Sequence, residues 1–483
     1  MTDTLMVGVS GVRGIVGKDL TADVVTRWAR GFGLWLREGT SAGGPGPGAS
    51  VVIGRDARTS GPMFAAAVTA GLTSVGCDVI DIGLVPTPTV QLAVEHHRAG
   101  GGIAITASHN PIEWNALKFI GPDGIFLDGM DGARVAQLAG GPPGSGKRET
   151  GQVTADPGAV ERHLASVLRL PAVDIPGIRA RQFTVALDAV RGAGGPVMRT
   201  LLERLGCEVA GINLETDGHF PRPPEPVPEN LGGLSTLVTR AGAALGIAVD
   251  PDVDRLAIVD ENGAPIGEDY TLAFAVRAVL GGQADGGTAG REGPSRSARP
   301  PVRPSVVCNL STSLVVEDAA RDCGAEVVRT PVGEVHVART IVRLGAVIGG
   351  EGNGGVMYPA LHAGRDAPVA AALLLTLLAR DGRRVSELVA AAPRYAIVKA
   401  KVERGTRNAE RGLEDVYAAL RSRFPEASAD TQDGLRLAWR DRWLHVRPSN
   451  TEPIIRLIAE APSGAGGGAQ ELVDEARRVC AAS

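Results

Sequence analysis

The chain has 483 residues, with 50 lysines and arginines against 54 aspartates and glutamates, so its formal net charge is −4. This length exceeds what one hydrophobic core usually organises and predicts about three or four domains. The near-balanced charge gives no indication of a nucleic-acid or membrane partner, so basic residues should act locally as ligands of anions. The longest apolar run, residues 369–379, is shorter than the ~20 residues that a membrane span requires and predicts a buried helix.

Cysteine spacing and the N-terminal sequence bear on the compartment. The five cysteines are scattered and never spaced as CxxC, which argues against a disulfide framework and a zinc site. No basic region precedes an apolar stretch at the N-terminus, so no signal peptide is predicted. We therefore expect a protein of a reducing compartment, the cytoplasm. We also expect a monomer or a homodimer.

Strand and helix patterns alternate in three stretches of the chain. The predicted elements are residues 51–53, 62–75, 78–82 and 88–97 in the first stretch, 183–187 and 208–210 in the second, and 305–309, 313–323 and 326–329 in the third. In the second stretch a glycine turn at 192–195 leads into a predicted helix that ends at Leu205. Such βαβ segments are typical of α/β units with mostly parallel sheets. The C-terminal part instead combines four predicted strands with one helix, which indicates an α+β unit with an antiparallel sheet.

The predicted fold class is therefore α/β, with three related α/β domains of mixed, mostly parallel sheets followed by a C-terminal α+β domain. The predicted domains cover residues 1–150, 155–262, 263–380 and 390–483. Glycine- and proline-rich segments without an apolar period separate or interrupt these domains and are interpreted as loops and surface insertions.

Residues 101–120 read GGIAITASHNPIEWNALKFI and contain the most informative loop of the chain. A β-branched apolar run predicts a buried strand, and residues 106–111 (TASHNP) are rich in turn formers. Ser108 therefore lies where a strand ends, in a loop that Pro111 should keep exposed and well defined. His109 follows it, but neighbours in an extended segment point to opposite sides, and no GxSxG elbow is present, so we do not predict a hydrolase dyad. Taken alone, the loop is more simply a capped turn.

A second loop concentrates carboxylates. Asp250, Asp252 and Asp254 form a D-x-D-x-D pattern. Hard cations such as Mg²⁺ prefer oxygen ligands, and alternating carboxylates in a loop can converge on one ion. The pattern is not an EF-hand, because Arg255 occupies the position that needs glycine and residues 256–259 form an apolar strand. Three ligands leave coordination positions open for a phosphate, whereas the alternative interpretation is a solvated acidic turn.

Arginine and glycine recur together in several loops. Residues 447–456 (RPSNTEPIIR) combine arginine forks, hydroxyl groups and main-chain amides, as a phosphate-binding loop requires. Arg58 and Arg365 lie in similar glycine-containing turns, but for these two an ordinary ion-paired turn is the simpler interpretation. Several such loops beside a metal loop favour a phosphorylated ligand.

A glycine-rich segment, residues 349–355 (GGEGNGG), follows a predicted strand at residues 346–348. It is not a dinucleotide fingerprint, because it lacks GxGxxG ahead of a helix and carries a carboxylate. Glu351 and Asn353 instead suit the hydroxyl groups of a sugar, since the first accepts hydrogen bonds and the second both donates and accepts.

Together these stretches resemble the α-D-phosphohexomutase superfamily, in order and along nearly the whole chain. TASHNP is similar to the family's phosphoserine loop, DPDVDR to its metal loop, GGEGNGG to its sugar loop and RPSNTEPIIR to its phosphate loop. The resemblance implies four domains around a central active-site cleft. It also implies a phosphohexomutase, which interconverts a hexose 6-phosphate and a hexose 1-phosphate.

The resemblance assigns roles to individual residues. Ser108 would carry a phosphoryl group and pass it to a hexose monophosphate, giving a hexose 1,6-bisphosphate that turns round and returns its other phosphoryl group. Mg²⁺ would be held by Ser108 and the three aspartates, and Lys118 would move the hydroxyl proton, which requires a lowered lysine pKa. The other implied residues are Arg13, His109 and Arg255 at the transfer site, Gly333, His336, Glu351 and Asn353 at the sugar, and Arg447, Ser449, Asn450, Thr451 and Arg456 at the non-reacting phosphate.

The sugar loop departs from the common family form. Gly352 replaces a second acidic residue, and Gly355 stands where a histidine often lies. This variant looks most like the archaeal-type phosphoglucosamine mutases, with phosphoglucomutase/phosphomannomutase as the alternative. Two further alternatives are a non-catalytic sugar-phosphate-binding protein and a phosphatase that forms phosphoserine.

Overall fold

A computed structural model of the protein describes residues 5–8, 11–39, 50–141, 150–284, 303–403, 412–449, 454–464 and 468–482. Within these residues the strands form four sheets, one after another along the chain. Three sheets are mixed and carry βαβ connections, and the last is antiparallel. The predicted fold class, with three related α/β units and a C-terminal α+β unit, is thereby confirmed. Among the described residues, no helix combines the length and the apolar character that crossing a membrane demands.

The first sheet has seven strands in the order β1-β2-β6-β5-β3-β4-β7. They are β1 (Met6–Gly8), β2 (Gly11–Ile15), β3 (Ser50–Arg55), β4 (Asp78–Leu84), β5 (Gly101–Ile105), β6 (Trp114–Ile120) and β7 (Val153–Ala155), and the helices are α1 (Ala22–Glu38), α2 (Gly61–Thr73), α3 (Thr87–His97) and α4 (Gly129–Gly140). Strand β3 is parallel to β4 and β5, and β5 is antiparallel to β6. The rings of Trp28, Phe32 and Phe119 stack in the buried core that joins α1 to the sheet.

The second and third sheets have four strands each, in the orders β11-β10-β8-β9 and β13-β12-β14-β15. The strands are β8 (Thr184–Asp188), β9 (Glu208–Ile212), β10 (Leu245–Val249), β11 (Leu256–Val259), β12 (Ser305–Asn309), β13 (Glu326–Thr330), β14 (Ile348–Glu351) and β15 (Gly355–Met357). The helices are α5 (Ala159–Leu168), α6 (Ile175–Arg181), α7 (Gly194–Arg204), α8 (Gly232–Ala241), α9 (Asp269–Ala284), α10 (Leu314–Asp322), α11 (Glu334–Leu344), α12 (Ala367–Asp381) and α13 (Val385–Ala391). In each sheet three parallel strands end in an antiparallel hairpin, and β3 to β6 repeat this order.

Helix α12 is the buried helix that the apolar run predicted. The side chain of Asp366 accepts a hydrogen bond from the amide of Val369 and so caps its first turn, and Gly382 ends it at a φ of 82°. Its residues from Ala367 to Leu378 are buried, in a core that the second and third units share. Because the helix packs against other residues on all sides, it is apolar all round and has no polar face.

The fourth sheet is antiparallel throughout, in the order β16-β20-β19-β18-β17. Its strands are β16 (Tyr395–Glu403), β17 (Ser428–Asp430), β18 (Leu435–Ala438), β19 (Trp443–Pro448) and β20 (Ile454–Pro462), with helices α14 (Leu413–Arg423) and α15 (Gly468–Ala482). The buried carboxylate of Glu460 accepts hydrogen bonds from Trp443 Nε1 at 2.6 Å and from the amide of Leu314 at 2.8 Å. Because Leu314 begins α10, this contact docks the fourth unit on the third.

Candidate active site

Four hairpin loops meet in one cleft. The loop after β5 carries Ser108, the loop after β10 carries the three aspartates, and the loop after β14 carries Asn353. These loops leave the carboxyl ends of parallel strands, which is where ligands bind in open α/β sheets. The β19–β20 hairpin of the fourth unit faces them. A cleft of about 450 Å³ is lined by residues of all four units.

Ser108 lies in this cleft in an unusual backbone conformation. Its φ is +49°, in the left-handed region, and its amide donates to Thr106 Oγ1 at 2.9 Å. Its Oγ donates to Asp250 Oδ2 at 2.8 Å and lies 3.4 Å from His109 Nδ1. The expectation that Ser108 and His109 point to opposite sides was wrong, because it assumed an extended backbone at this residue.

A buried arginine holds this conformation. The guanidinium of Arg58, which is fully buried, donates four hydrogen bonds to main-chain carbonyls of the loop. The acceptors are Ser108 O at 2.7 Å, Asn110 O at 2.6 Å, Pro111 O at 2.6 Å and Trp114 O at 2.9 Å. Its Nε also pairs with Asp56 at 3.2 Å. Arg58 is thus an ion-paired turn residue, as predicted, but its forked end also fixes the serine loop, which the sequence did not indicate.

The three aspartates converge. Asp250, Asp252 and Asp254 are fully or almost fully buried, and one carboxylate oxygen of each lies within 4.8 Å of the others. Asp252 Oδ1 and Asp254 Oδ1 are buried and have no hydrogen-bond partner among the described residues. Uncompensated carboxylate oxygens are costly to bury. The residues therefore fit a divalent cation, for which three carboxylates and a neighbouring hydroxyl are suitable ligands.

The titration behaviour of the aspartates agrees with this fit. Burial raises the pKa of Asp250 well above its ordinary value, and the charges of Asp252 and Asp254 raise it further. Burial acts the same way on Asp252, but Lys118 outweighs it and holds the pKa of Asp252 well below its usual range. The three carboxylates thus repel one another in this buried position, and a bound cation would relieve that repulsion.

Lys118, on β6, faces the same aspartates. Its Nζ is 2.7 Å from Asp252 Oδ2 and 3.7 Å from Asp254 Oδ2. Burial lowers the pKa of Lys118, but the two carboxylates raise it by more, so the pKa is raised overall. The lowered pKa expected for this lysine was therefore wrong for this arrangement of charges. A cation bound by the aspartates would weaken their effect on Lys118.

Arg13, His109 and Arg255 also line the cleft. Arg13 Nη1 donates to Asn110 Oδ1 at 3.0 Å, which adds a second arginine contact to the serine loop. Arg255, burial and Arg13 together lower the pKa of His109 to about 2, so its imidazole is neutral at physiological pH. Two guanidinium groups so close to one neutral ring form a site suited to an anion.

The predicted sugar loop is held by hydrogen bonds of its own. Glu351 ends strand β14 instead of lying in the loop, because this strand begins at Ile348, later than predicted, and continues through the glycines. Its carboxylate accepts hydrogen bonds on both oxygens. The donors are Asn309 Nδ2 at 2.9 Å, Gly333 N at 3.2 Å, Arg365 Nη1 at 2.9 Å and Asn353 Nδ2 at 3.4 Å. Four donors fill the acceptor sites of a carboxylate, so a sugar hydroxyl would have to displace one of these donors to bind Glu351.

Arg365 joins the sugar loop to the metal loop. Its guanidinium contacts Asp254 at 2.6 Å, Glu351 at 2.9 Å and Glu334 at 3.0 Å. A Cβ atom at Gly355 would lie 2.2 Å from Arg365 Cδ, so the arginine stem uses the space that a side chain at this position would need. We expected an ion-paired turn at Arg365. The structure adds that the ion-pair partners of Arg365 come from separate parts of the cleft. Glu334 is one of these partners.

The remaining predicted residues lie as follows. Gly333, His336 and Asn353 line the cleft from the third unit, and Arg447, Ser449 and Arg456 line it from the fourth. Arg447 and Arg456 are cross-strand partners of β19 and β20. Like charges in such a pair repel, although Arg447 Nε is also ion-paired with Asp433 Oδ2 at 3.0 Å. Asn450 and Thr451 lie outside the described residues.

Family models and known relatives match the chain along its length. The models described as "Phosphoglucomutase/phosphomannomutase, alpha/beta/alpha domain" I, II and III match residues 4–139, 161–263 and 291–395, and the C-terminal domain model matches 397–477. A probable phosphoglucosamine mutase of Methanopyrus kandleri is 38% identical over 97% of this chain and 96% of its own. A phosphoglucomutase/phosphomannomutase of Thermococcus kodakarensis is 36% identical over 94% of each chain. The solved structure of a phosphoglucomutase/phosphomannomutase family protein from Burkholderia thailandensis superposes with a TM-score of 0.81 at 26% identity, covering 99% of this chain and 97% of that one.

Proposed function

The chain belongs to the phosphoglucomutase/phosphomannomutase family, and we propose that it interconverts glucosamine 6-phosphate and glucosamine 1-phosphate. The family assignment makes it an enzyme, a phosphohexomutase. One observation supports the site in particular. The hydroxyl of Ser108 donates to a buried aspartate cluster inside a cleft that all four units line.

Ser108 is the proposed phosphoryl carrier. In the first transfer the bond between Ser108 Oγ and phosphorus breaks, and a bond forms from phosphorus to the free hydroxyl oxygen of the sugar phosphate. The proton lost by that hydroxyl is the proton that Ser108 Oγ gains. The second transfer reverses these changes at the other end of the 1,6-bisphosphate, so phosphate is conserved overall.

Lys118 is the proposed proton carrier. Because its pKa is raised, it is protonated in this arrangement and suits donation of a proton to the departing serine oxygen. His109 Nδ1 lies 3.4 Å from Ser108 Oγ, but a pKa of about 2 makes it a poor base, so its proposed role is a hydrogen bond. Arg13 and Arg255 would compensate the negative charge of the phosphoryl group.

Ser108, Asp250, Asp252 and Asp254 would hold a Mg²⁺ ion. When bound, the ion supplies positive charge that offsets the negative charge growing on the transferred group. The Oδ1 atoms of Asp252 and Asp254, which are buried and lack a hydrogen-bond partner in the described part of the chain, support this assignment.

The other phosphate of the substrate needs a site of its own. Arg447, Ser449, Asn450, Thr451 and Arg456 are proposed to hold it in either orientation of the sugar. The two arginines support this role, because they face one another on neighbouring strands at the cleft. Gly333, His336, Glu351, Asn353 and Arg255 are proposed to contact the sugar.

The choice of glucosamine as the sugar rests on the relatives of the chain and on the charge of the cleft. The Methanopyrus relative supports an amino sugar, and the Thermococcus relative supports the second candidate, glucose or mannose phosphate. Glu334 and Glu351 place negative charge among the cleft's many basic residues, and a cationic amine would complement it.

The five free cysteines support the proposed cytoplasmic location.

The test compares wild-type protein with Ser108→Ala. Each is incubated with glucosamine, glucose or mannose 6-phosphate, Mg²⁺ and a trace of the matching bisphosphate. We expect wild-type protein to convert glucosamine 6-phosphate with the highest kcat/KM, and Ser108→Ala to lose turnover while still binding sugar phosphate by calorimetry. Ser422→Ala, at an exposed serine of α14, is the matched control and should retain activity.

Three results would contradict the proposal. Unchanged turnover in Ser108→Ala would remove the carrier role. Net release of inorganic phosphate would indicate a phosphatase. Absence of conversion of all three sugars would indicate a binding protein without mutase activity.

A further inference from the structure

We propose that Glu334 determines the sugar specificity of the cleft, by binding the protonated 2-amino group of a hexosamine phosphate. The inference rests on the proposed function and assigns its sugar preference to one residue. Glu334 is the first residue of α11 and lines the cleft together with Arg365 and Glu351. The glycine-rich loop pattern gave no indication of it.

Glu334 differs from the other acidic residue of the cleft in its unused acceptor capacity. The oxygens of Glu351 already accept from four donors. In Glu334, Oε1 accepts only from the amide of Arg365, at 3.2 Å, among the described residues. Its Oε2 is buried without a hydrogen-bond partner among these residues, although Arg365 Nε lies 3.0 Å away. A carboxylate oxygen that is buried at a cleft and lacks a donor favours a donor from the ligand.

The charges around Glu334 favour a cationic donor over a neutral hydroxyl. Arg365 is a single guanidinium shared by three carboxylates, those of Asp254, Glu334 and Glu351. Among the described residues Arg365 is the only direct ion-pair partner of both Glu334 and Glu351, whereas Lys118 and Arg255 act on these carboxylates from farther away. Burial raises the pKa of Glu334 more than Arg365 lowers it, as expected for an incompletely compensated carboxylate.

The side chain is also placed to discriminate. It is 9% exposed, so an interaction there is only weakly screened by solvent. Arg365, which contacts it, is fixed by Asp254 and Glu351 and packs against Gly355. Glu334 is therefore held by a rigid network instead of moving freely at the surface. The simpler interpretation, an ion pair that only supports the fold, predicts no difference between sugars.

The experiment measures kcat/KM for glucosamine 6-phosphate and glucose 6-phosphate with wild-type protein and Glu334→Gln. The two substrates share the phosphate, so the glucose reaction controls for effects on folding, metal binding and phosphate binding. A charge-assisted hydrogen bond is worth about 1.5–3 kcal/mol, so we expect Glu334→Gln to lose roughly 10- to 150-fold on glucosamine 6-phosphate. The loss on glucose 6-phosphate should stay below about threefold.

Glu317→Gln is the matched control. Glu317 also lies in the first turn of a third-unit helix, α10, and pairs with an arginine, Arg329, at 2.8 Å, but it does not line the cleft. This variant should keep the wild-type ratio between the two sugars. A second measurement uses wild-type protein alone: affinity for glucosamine 6-phosphate should fall between about pH 6.5 and about pH 9 as the sugar's amine loses its proton, relative to glucose 6-phosphate.

The outcomes separate the two proposals. Wild-type protein that turns over glucose 6-phosphate but not glucosamine 6-phosphate overturns the proposed sugar and the role of Glu334 with it. Wild-type protein that prefers glucosamine 6-phosphate, combined with equal losses on both sugars in Glu334→Gln, overturns only the role of Glu334. An equal pH dependence of the affinities for the two sugars would likewise overturn only the role of Glu334.

Discussion

Substitution of Arg58 by lysine tests how the serine loop is held. Arg58 is fully buried and donates to four main-chain carbonyls of the loop as well as to Asp56. Lysine keeps the charge, but its three donors sit on one nitrogen and replace at most three of these five partners. At least two acceptors then lose their donor, and three of the four carbonyl contacts are only partly buried.

The expected size follows from the geometry. A typical hydrogen bond contributes about 0.5–1.5 kcal/mol to stability, so the loss of two in Arg58→Lys should lower the free energy of unfolding by roughly 1–3 kcal/mol. Ser108, with its φ of +49°, is strained. A left-handed backbone at a non-glycine residue costs about 1–3 kcal/mol, so without the clamp the reactive conformation should be about 5- to 150-fold less populated. We expect kcat to fall within this range.

The assay combines steady-state kinetics with urea unfolding. Arg58 does not line the cleft, so KM for the sugar phosphate should change much less than kcat. Arg134→Lys, at a half-exposed arginine of the same unit that pairs with Glu38, is the control and should match wild type in both measurements. Arg58→Lys with wild-type kcat, or with kcat and KM changed in proportion, would refute the clamp as the cause.

Two further predictions concern the metal loop and pH. Removal of divalent cations with a chelator should abolish turnover, and added Mg²⁺ should restore it in wild type but not in Asp252→Asn. Added Mg²⁺ should also raise the Tm of wild type but not that of the variant. Turnover that survives chelation would contradict the metal site. Burial lowers the pKa of His445 to about 4, so its neutral form stabilises the fold above the unfolded value of about 6.5, and this stability is lost as pH falls through 4. The Tm of wild type should therefore fall more steeply than that of His445→Gln between pH 6.5 and pH 4, and parallel curves would contradict this assignment.

The sequence predicted those parts of the candidate site whose groups lie close together along the chain. Three aspartates at alternate positions, or a serine in a turn-forming loop after a strand, are local patterns whose chemistry needs no knowledge of the fold. The alternation of strands and helices likewise predicted the fold class. The antiparallel strands β2 and β15 were missed, because they are short and glycine-containing and are strands only through their partners.

The sequence could not predict the supporting arginines or the charge of Lys118. Arg58 and the carbonyl of Ser108 are 50 residues apart, and Lys118 and Asp252 are 134 apart. Arginine in a glycine-containing turn has the same local pattern whether it pairs at the surface or supports a catalytic loop. The pKa of Lys118 was expected to be low because the implied transfer of the hydroxyl proton requires it, but the direction of its shift depends on the two carboxylates that a different unit supplies.

The two central loops share one physical arrangement. Ser108 and Val253, the residue between two of the aspartates, both have left-handed φ values, 49° and 61°, and for a β-branched residue this is a strained conformation. Neither loop supports that conformation alone. The serine loop depends on Arg58, whereas the metal loop depends on the third unit, where Arg365 binds Asp254 and the amide of Ala367 donates to Val253 O at 3.2 Å. Because contacts with the third unit maintain the strain of the metal loop, the geometry of that loop should form only when the second and third units are docked, and loss of docking should remove activity before it unfolds any single unit.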